Sequence, residues 1–220
     1  MLSLNVRNVV KRTISRVLFS SATTSTKEAV KDPVQEASLK EKCFLVDEHD
    51  KIVGQASKKE CHLVQENDYI PLHRAFSVFL FNKKGDLLLQ KRSSHKLTYP
   101  DCYTNSCCSH PVANYEGEDE EEDAIGIKRA AQRRMNYELG IPKEQIPLEK
   151  LHYITRIWYK DTGNGKWGEH EIDYVLIFQD NVKIKPNSNE ISAYSFVPRE
   201  ELDSYIPTLD GPLTPWFSII

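Results

Sequence analysis

Two strand-turn-strand stretches set the narrowest limits on what this chain can fold into. Leu72-His-Arg-Ala-Phe-Ser-Val-Phe-Leu-Phe81 is rich in the residue types that suit a pleated surface. Asn82-Lys-Lys-Gly85 is a turn, and Asp86-Leu-Leu-Leu-Gln-Lys-Arg92 returns, so the spacing predicts a hairpin. Residues 148–159 and 167–178, joined by Asp161-Thr-Gly-Asn-Gly-Lys166, predict a second long hairpin. Further strands are expected at 43–46, 52–56 and 190–197. Residues 124–139 read as one helix, with Ala, Ile, Met and Leu set against Lys128, Arg129, Arg133 and Arg134, and Gly140 as its stop. Ser57-Lys-Lys-Glu60 has the form of a capping box and puts His62 on a short helix. Strands in hairpin order mixed with one or two helices argue for an α+β fold rather than a parallel βαβ one.

The N-terminal residues differ in kind. Arg7, Lys11, Arg12 and Arg16 are basic, no acid precedes Glu28, and Leu4, Val9, Val10, Ile14, Val17 and Leu18 can line one helix face. That is the pattern of a mitochondrial transit peptide over residues 1–26, with an unstructured tail as the alternative. Residues 27–41 read as a charged linker containing Pro33, and the folded domain is expected over 42–220. A mitochondrial location follows from the leader, with cytosolic or peroxisomal forms left open. The net charge of −3 gives no general attraction to nucleic acid, and no apolar run is long enough to span a membrane. Five cysteines without a Cys-x-x-Cys pair argue against a disulfide framework and for a reducing compartment. A monomer is expected.

The chemistry gathers at Tyr103-Thr-Asn-Ser-Cys-Cys-Ser-His-Pro111. In an extended strand Cys108 and His110 share one face and Cys107 points away. A buried thiol with a core histidine is the plainer alternative. His62, His73 and His110 sit on separate elements, while Glu169 and Glu171 alternate on one strand. Three imidazoles and two carboxylates suit a divalent ion such as Zn²⁺, Mn²⁺ or Mg²⁺, but spacing alone does not make them converge. A thiol with an ordinary pKa of about 8.5 beside a metal-held carboxylate forms a workable acid/base pair. Lys58, Arg92, Lys96 and Arg134 are candidate anion-binding groups or ordinary surface charges. Glu138 is either a helix-surface acid or a ligand for a phosphate-bound Mg²⁺. Trp216 is a core anchor or a face for a cation. Tyr159 is a core residue or a donor to an active-site carboxylate. The run from Glu116 to Asp123, with seven acids in eight residues, reads as a solvated loop.

Thr104-Asn-Ser-Cys-Cys-Ser-His-Pro111, Leu72-His-Arg-Ala-Phe-Ser77 and Trp167-Gly-Glu-His-Glu-Ile-Asp-Tyr174, with Tyr-Glu-Leu-Gly (137–140) between the first and the last, resemble the type I isopentenyl-diphosphate Δ-isomerase family. The resemblance runs from about Lys42 to the end. It implies a Nudix-like mixed β-sheet flanked by helices, and interconversion of isopentenyl and dimethylallyl diphosphate through a tertiary carbocation. It also implies Cys108 and Glu171 as catalytic groups and His62, His73, His110, Glu169 and Glu171 as a metal cage. Glu138 falls to the diphosphate-bound Mg²⁺, and Lys58, Arg92, Lys96 and Arg134 to the anion. Ser109, Tyr159 and Trp216 fall to the substrate pocket. Against the family pattern, the acidic run reads as a surface insertion, and the sequence stops just after Trp216, without the C-terminal helical segment that family members usually carry.

Two rival readings follow from the same residues. A Nudix diphosphate hydrolase needs a helix rich in acids, in the pattern Gly-x5-Glu-x7-Arg-Glu-x-x-Glu-Glu-x-Gly. Aligned on Gly140, this chain has Ile125, Arg134 and Tyr137 at three of the acid positions and retains Glu138. The other rival is a non-catalytic metal-binding fragment.

Overall fold

The computed structural model describes residues 33–220, so the leader-like segment 1–26 lies outside the described residues. In chain order the elements are α1 (Pro33–Ser38), β1 (Lys42–Val46), β2 (Ile52–Ser57), α2 (Lys58–His62), β3 (His73–Phe81), β4 (Leu87–Arg92), β5 (Tyr103–Thr104), β6 (Cys107–Ser109), α3 (Ile125–Leu139), β7 (His152–Asp161), β8 (Glu169–Gln179), β9 (Ile191–Val197), α4 (Leu202–Tyr205) and α5 (Pro215–Ile219). Single 3-10 turns fill several of the connections. The sheet is mixed and flanked by helices, as the α+β reading expects.

Strand β3 lies at the centre. β8 runs parallel to it over its whole length, from His73 opposite Glu171 to Phe81 opposite Gln179. The other edge of β3 is therefore shared in succession by β1 at His73, β6 at Phe76–Val78 and β4 at Phe81. The β7–β8 hairpin is as long as the sequence predicts. The first hairpin is not. β3 and β4 share one pair, Phe81 with Leu87, and β4 then leaves to pair with β9 along Leu87–Arg92. Propensity marks a strand but not its neighbour, and here the thiol strand β6 occupies the edge of β3 that β4 vacates.

Alternation along the strands sorts residues between core and pocket. Phe76, Val78 and Leu80 of β3 and Ile172, Tyr174, Leu176 and Phe178 of β8 join Ile127, Ala130, Ala131, Met135 and Leu139 of α3 in the main core. Burial of each large side chain stabilises the fold by about 2–3 kcal/mol. The intervening residues, His73, Ala75 and Ser77 with Glu169, Glu171 and Asp173, are also buried but on the other face. Farther along that face Leu87, Leu89 and Val197 form a smaller core with Phe79, Phe81 and Phe217. Helix α3 stops at Gly140, whose φ is 64°, and a Cβ there would meet the Lys185 carbonyl oxygen at 2.1 Å. Only glycine combines that backbone with that approach.

Two charged stretches are less solvated than they read. Within the linker, Pro33–Ser38 is a helix, and Gln35 is buried against Asn189 through a 2.7 Å hydrogen bond. The acidic run is not all surface. Glu118 is buried, accepts from the Val112 amide at 2.8 Å and takes both prongs of Arg133 at 2.6 and 2.9 Å. Glu121 faces Lys51 and Arg74. Acids that look interchangeable in a run are separated by whether a guanidinium waits behind them.

Candidate active site

The capping box at Ser57 forms in full. Ser57 Oγ accepts from the Glu60 amide, and the Glu60 carboxylate accepts from the Ser57 amide at 2.7 Å. That fixes α2, and α2 aims His62 at the sheet. His73 opens β3, His110 follows β6, and Glu169 and Glu171 come from β8. One ligand atom from each of these five lies within 4.8 Å of all the others, and all five residues are buried.

The inner atoms are arranged for a cation. His62 Nδ1 lies 2.6 Å from the Lys58 carbonyl and His73 Nδ1 2.9 Å from that of Pro71. Each ring thus donates outward and turns Nε2 inward, the arrangement a metal ligand needs. His62 Nε2 approaches Glu169 Oε2 at 3.0 Å, and His73 and His110 Nε2 approach Glu171 Oε1 at 3.3 and 2.8 Å. His73 Nε2 and Glu169 Oε2 are buried with no hydrogen-bond partner among the described residues. Buried polar atoms left unpaired are costly, and a divalent ion would satisfy both, so the donor set fits one.

Environment drives the two carboxylates apart. Burial and the charge of Glu171 push Glu169 well above the usual carboxylate range. Burial acts the same way on Glu171, but the hydrogen bond from His110 and the nearness of His73 outweigh it and hold that group well below the usual carboxylate range. Burial, with His73 beside it, lowers His62 and keeps it neutral. Tyr159 donates to Glu171 Oε2 at 2.5 Å, and burial keeps that phenol protonated.

The pocket beside the cage is lined by His62, Ser77, Cys108, Ser109, His110, Tyr159, Glu169, Glu171, Asp173 and Trp216, and also by Lys58, Arg92 and Lys96. Cys107 is fully buried in the main core, while Cys108 is partly exposed and faces the pocket, the division that alternation predicts. Burial first, then the charge of Asp173, pushes the Cys108 thiol up to about 12. It is a neutral S–H at physiological pH, suited to giving a proton rather than standing as a thiolate.

Residues 71–217 match the NUDIX domain family. The chain is 53% identical over 192 residues to isopentenyl-diphosphate Delta-isomerase 1 of Mesocricetus auratus, covering 86% of this chain and 84% of that protein. It is 48% identical over 191 residues to the isopentenyl-diphosphate delta-isomerase of Gibberella zeae, covering 86% and 76%. This chain belongs to the isopentenyl-diphosphate Delta-isomerase family. Among solved structures, DR0079 from Deinococcus radiodurans shares the fold, with a TM-score of 0.52 at 20% identity over 81% of this chain and 96% of that one.

Within this isomerase-family pocket the sequence-picked residues divide. The cage, Cys108, Ser109, Tyr159, Trp216, Lys58, Arg92 and Lys96 come together on its wall. Arg134 and Glu138 do not line it. They pair with each other at 2.7 Å on α3, and Arg134 also approaches Glu190 at 3.6 Å. Glu190 in turn holds Lys96 at 2.5 Å. Arg92 spends its guanidinium on the carbonyls of Tyr99 and Thr98 at 3.0 and 2.8 Å and stacks over the Trp216 ring. Lys96 and Arg134 are thus joined through Glu190, while Arg92 is anchored on backbone carbonyls. The Trp216 N–H points at Thr104 Oγ1 and Cys108 Sγ, at 2.9 and 3.0 Å. Glu190, Ser77 and Asp173 were not picked from sequence. Asp173 carried a signal, since it continues the every-second-residue pattern of Glu169 and Glu171. Ser77 carried the same signal, four residues along β3 from His73, and Glu190 carried none.

Proposed function

We propose that this chain interconverts isopentenyl and dimethylallyl diphosphate by proton transfer at carbon, in isoprenoid biosynthesis. One observation carries the reading: the thiol of Cys108 and the carboxylate of Glu171 line one pocket together with Lys58, Arg92 and Lys96. Relatives named for this isomerisation, at about half identity over most of their length, support it.

In this mechanism the substrate's diphosphate lies toward Lys58, Arg92 and Lys96, which supply binding energy remote from the reacting carbons. The C5 chain lies between Cys108 and Glu171. One of the two protonates the terminal alkene carbon, and the other removes a proton from the carbon nearer the diphosphate. The Trp216 face and the carboxylates lower the energy of the intervening tertiary cation. Tyr159 holds Glu171 in one orientation throughout, and Phe76, Leu97, Trp167 and Trp216 on the pocket wall limit the approach of water to the cation. When bound, a divalent ion (Zn²⁺, Mn²⁺ or Mg²⁺) held by His62, His73, His110, Glu169 and Glu171 would keep Glu171 ionised, and Mg²⁺ on the diphosphate would neutralise part of its charge; Glu138, paired with Arg134 away from the pocket wall, is not placed to hold it. The leader-like composition of residues 1–26 supports delivery to the mitochondrion, which a fusion of those residues to a fluorescent protein tests.

The test is incubation of the full chain with Mg²⁺ and isopentenyl diphosphate in D₂O, followed by NMR. Dimethylallyl diphosphate carrying deuterium is the expected product. Inorganic phosphate or pyrophosphate in its place would support the hydrolase reading, and metal binding without turnover the non-catalytic one.

A further inference from the structure

Asp173 is 1% exposed and lines the pocket, yet neither the cage nor the proton transfer uses it. Its Oδ2 accepts from the Ser77 hydroxyl at 2.7 Å, and its Oδ1 has no hydrogen-bond partner among the described residues. Ser77, also 1% exposed, sits opposite Cys108 in the β3–β6 register, with its Oγ 3.7 Å from Sγ. A hydroxyl has one proton to give, and the Asp173 oxygen at 2.7 Å is a nearer and harder acceptor for it than a sulfur at 3.7 Å. Asp173 therefore fixes the Ser77 rotor and holds Ser77 Oγ against Sγ at 3.7 Å, while the thiol gives its own proton to Asn105 Oδ1 at 2.8 Å.

The remaining neighbours of the sulfur are anchored as well. Thr104 Oγ1 is 3.6 Å from Sγ and bonded to Thr214 at 2.8 Å. Asn105 Oδ1 is 2.8 Å from Sγ, and its amide is tied to the Val78 carbonyl at 3.0 Å. Trp216 closes the ring of contacts from α5. Sulfur makes weak, poorly directed hydrogen bonds, so its place must be set by groups that are themselves held. Of these groups, Ser77 alone reaches the sulfur from the strand that also pairs with the Glu171 strand.

We infer that Ser77 and Asp173 are positioning residues for the Cys108 thiol: Asp173 orients Ser77, and Ser77 fixes Sγ relative to Glu171 on the far edge of β3. The inference rests on the isomerase reading. A buried carboxylate with one oxygen unpaired is otherwise a poor way to fill this space, because an apolar side chain would cost less.

The test uses the full chain with divalent metal and isopentenyl diphosphate. Ser77→Ala and Asp173→Leu remove the two contacts, while Ser77→Thr and Asp173→Asn keep a hydroxyl and an acceptor. Misplacement of a reacting group slows the chemical step without weakening binding, so S77A and D173L are expected to lose about 10–100-fold in kcat with KM within about twofold. S77T and D173N recover most of that loss. The double variant S77A/D173L is no slower than the slower single one, since both act through one contact. Independently of turnover, iodoacetamide labels Cys108 at a rate changed at least about fivefold in S77A and D173L, read by peptide mass spectrometry. Unchanged kcat and unchanged labelling in both would overturn the inference, as would a loss confined to KM. A parent chain that labels but gives no product would sink the isomerase reading instead, and labelling alone would then decide the role of Ser77. S77A deletes one atom, so its folding is checked by Tm. Should it fail to fold, D173L decides on the same readouts.

Discussion

The Tyr159 hydroxyl donates to Glu171 Oε2 at 2.5 Å, while Glu171 Oε1 faces His110 at 2.8 Å and His73 at 3.3 Å. One carboxylate is thus gripped on both oxygens by groups from three elements, β6–His110, β3 and β7. Tyr159→Phe removes a single oxygen and leaves the ring in place. Oε2 then loses its donor, which costs about 1–3 kcal/mol in a buried site. The expected result is a kcat reduced about 10–100-fold with little change in KM, because orientation rather than binding is lost. Steady-state kinetics with a thermal melt checks it. A fall in Tm with unchanged kcat would show the phenol to be structural only.

Glu190 is buried 2.5 Å from Lys96, which lines the pocket, and 3.6 Å from Arg134. Burial pushes its carboxyl up, but Lys96 and Arg134 outweigh that and bring it to about 2. A carboxylate whose folded pKa lies below its unfolded one contributes stability above the unfolded value, near 4.3, and loses it as pH falls toward about 2. At neutral pH the contribution is on the order of 3 kcal/mol at 1.4 kcal/mol per unit. Glu190→Gln should lower stability near pH 7 and flatten its dependence between about pH 5 and 2. Urea melts across that range decide the point, and parallel pH curves for the two proteins would refute it.

What the sequence made legible depended on how local each signal was. The β7–β8 hairpin could be read because its turn, Asp161-Thr-Gly-Asn-Gly-Lys166, lies between its own strands. The capping box at Ser57 and Glu60 is likewise closed within four residues. β4 could be recognised as a strand, but its partner β9 is distant in sequence, and nothing local says that it leaves β3 after one pair. The cage residues were legible as types, yet their convergence depends on the parallel pairing of His73 with Glu171. Arg134 and Glu138 show the reverse difficulty. They are one helical turn apart, and a mutual ion pair was always open to them beside any role with an anion or Mg²⁺. Glu118 was hidden by its acidic neighbours, because composition does not tell which acid of a run meets Arg133.

The five cage side chains bring two carboxylates and three imidazoles into a space where their atoms lie within 4.8 Å of one another. Without a cation, Glu169 and Glu171 repel, and His73 Nε2 and Glu169 Oε2 stay unpaired. Dialysis against a strong chelator should therefore both stop turnover and lower Tm, and Zn²⁺, Mn²⁺ or Mg²⁺ added back should restore both. An ion present at about 1,000 times its Kd stabilises the fold by about 4 kcal/mol. His62→Ala should blunt the Tm response to added metal, since it removes one inward Nε2. A chain that keeps its Tm and its full activity with no metal detectable by elemental analysis would exclude a metal role for the cage.

Cys107 and Cys108 are neighbours with opposite surroundings. Cys107 is fully buried beside Val78 and the α3 side chains of the main core, and Cys108 faces the pocket with Trp216 Nε1 3.0 Å away. Strand alternation alone produces this split, so exchanging the two roles would require slipping β6 by one residue. Cys107→Ala should cost on the order of 1 kcal/mol through lost packing and leave kcat almost unchanged. Cys108→Ala should do the reverse, with Tm within a few degrees of the parent and turnover reduced by roughly a thousandfold or more, because no other described side chain offers an S–H to the pocket. Cys108→Ser separates size from acidity. A serine hydroxyl fills the space but holds its proton far more tightly, so this variant should also be nearly inactive. Kinetics and melts of the three proteins together test the division, and full activity in Cys108→Ala would assign the proton transfer to another group.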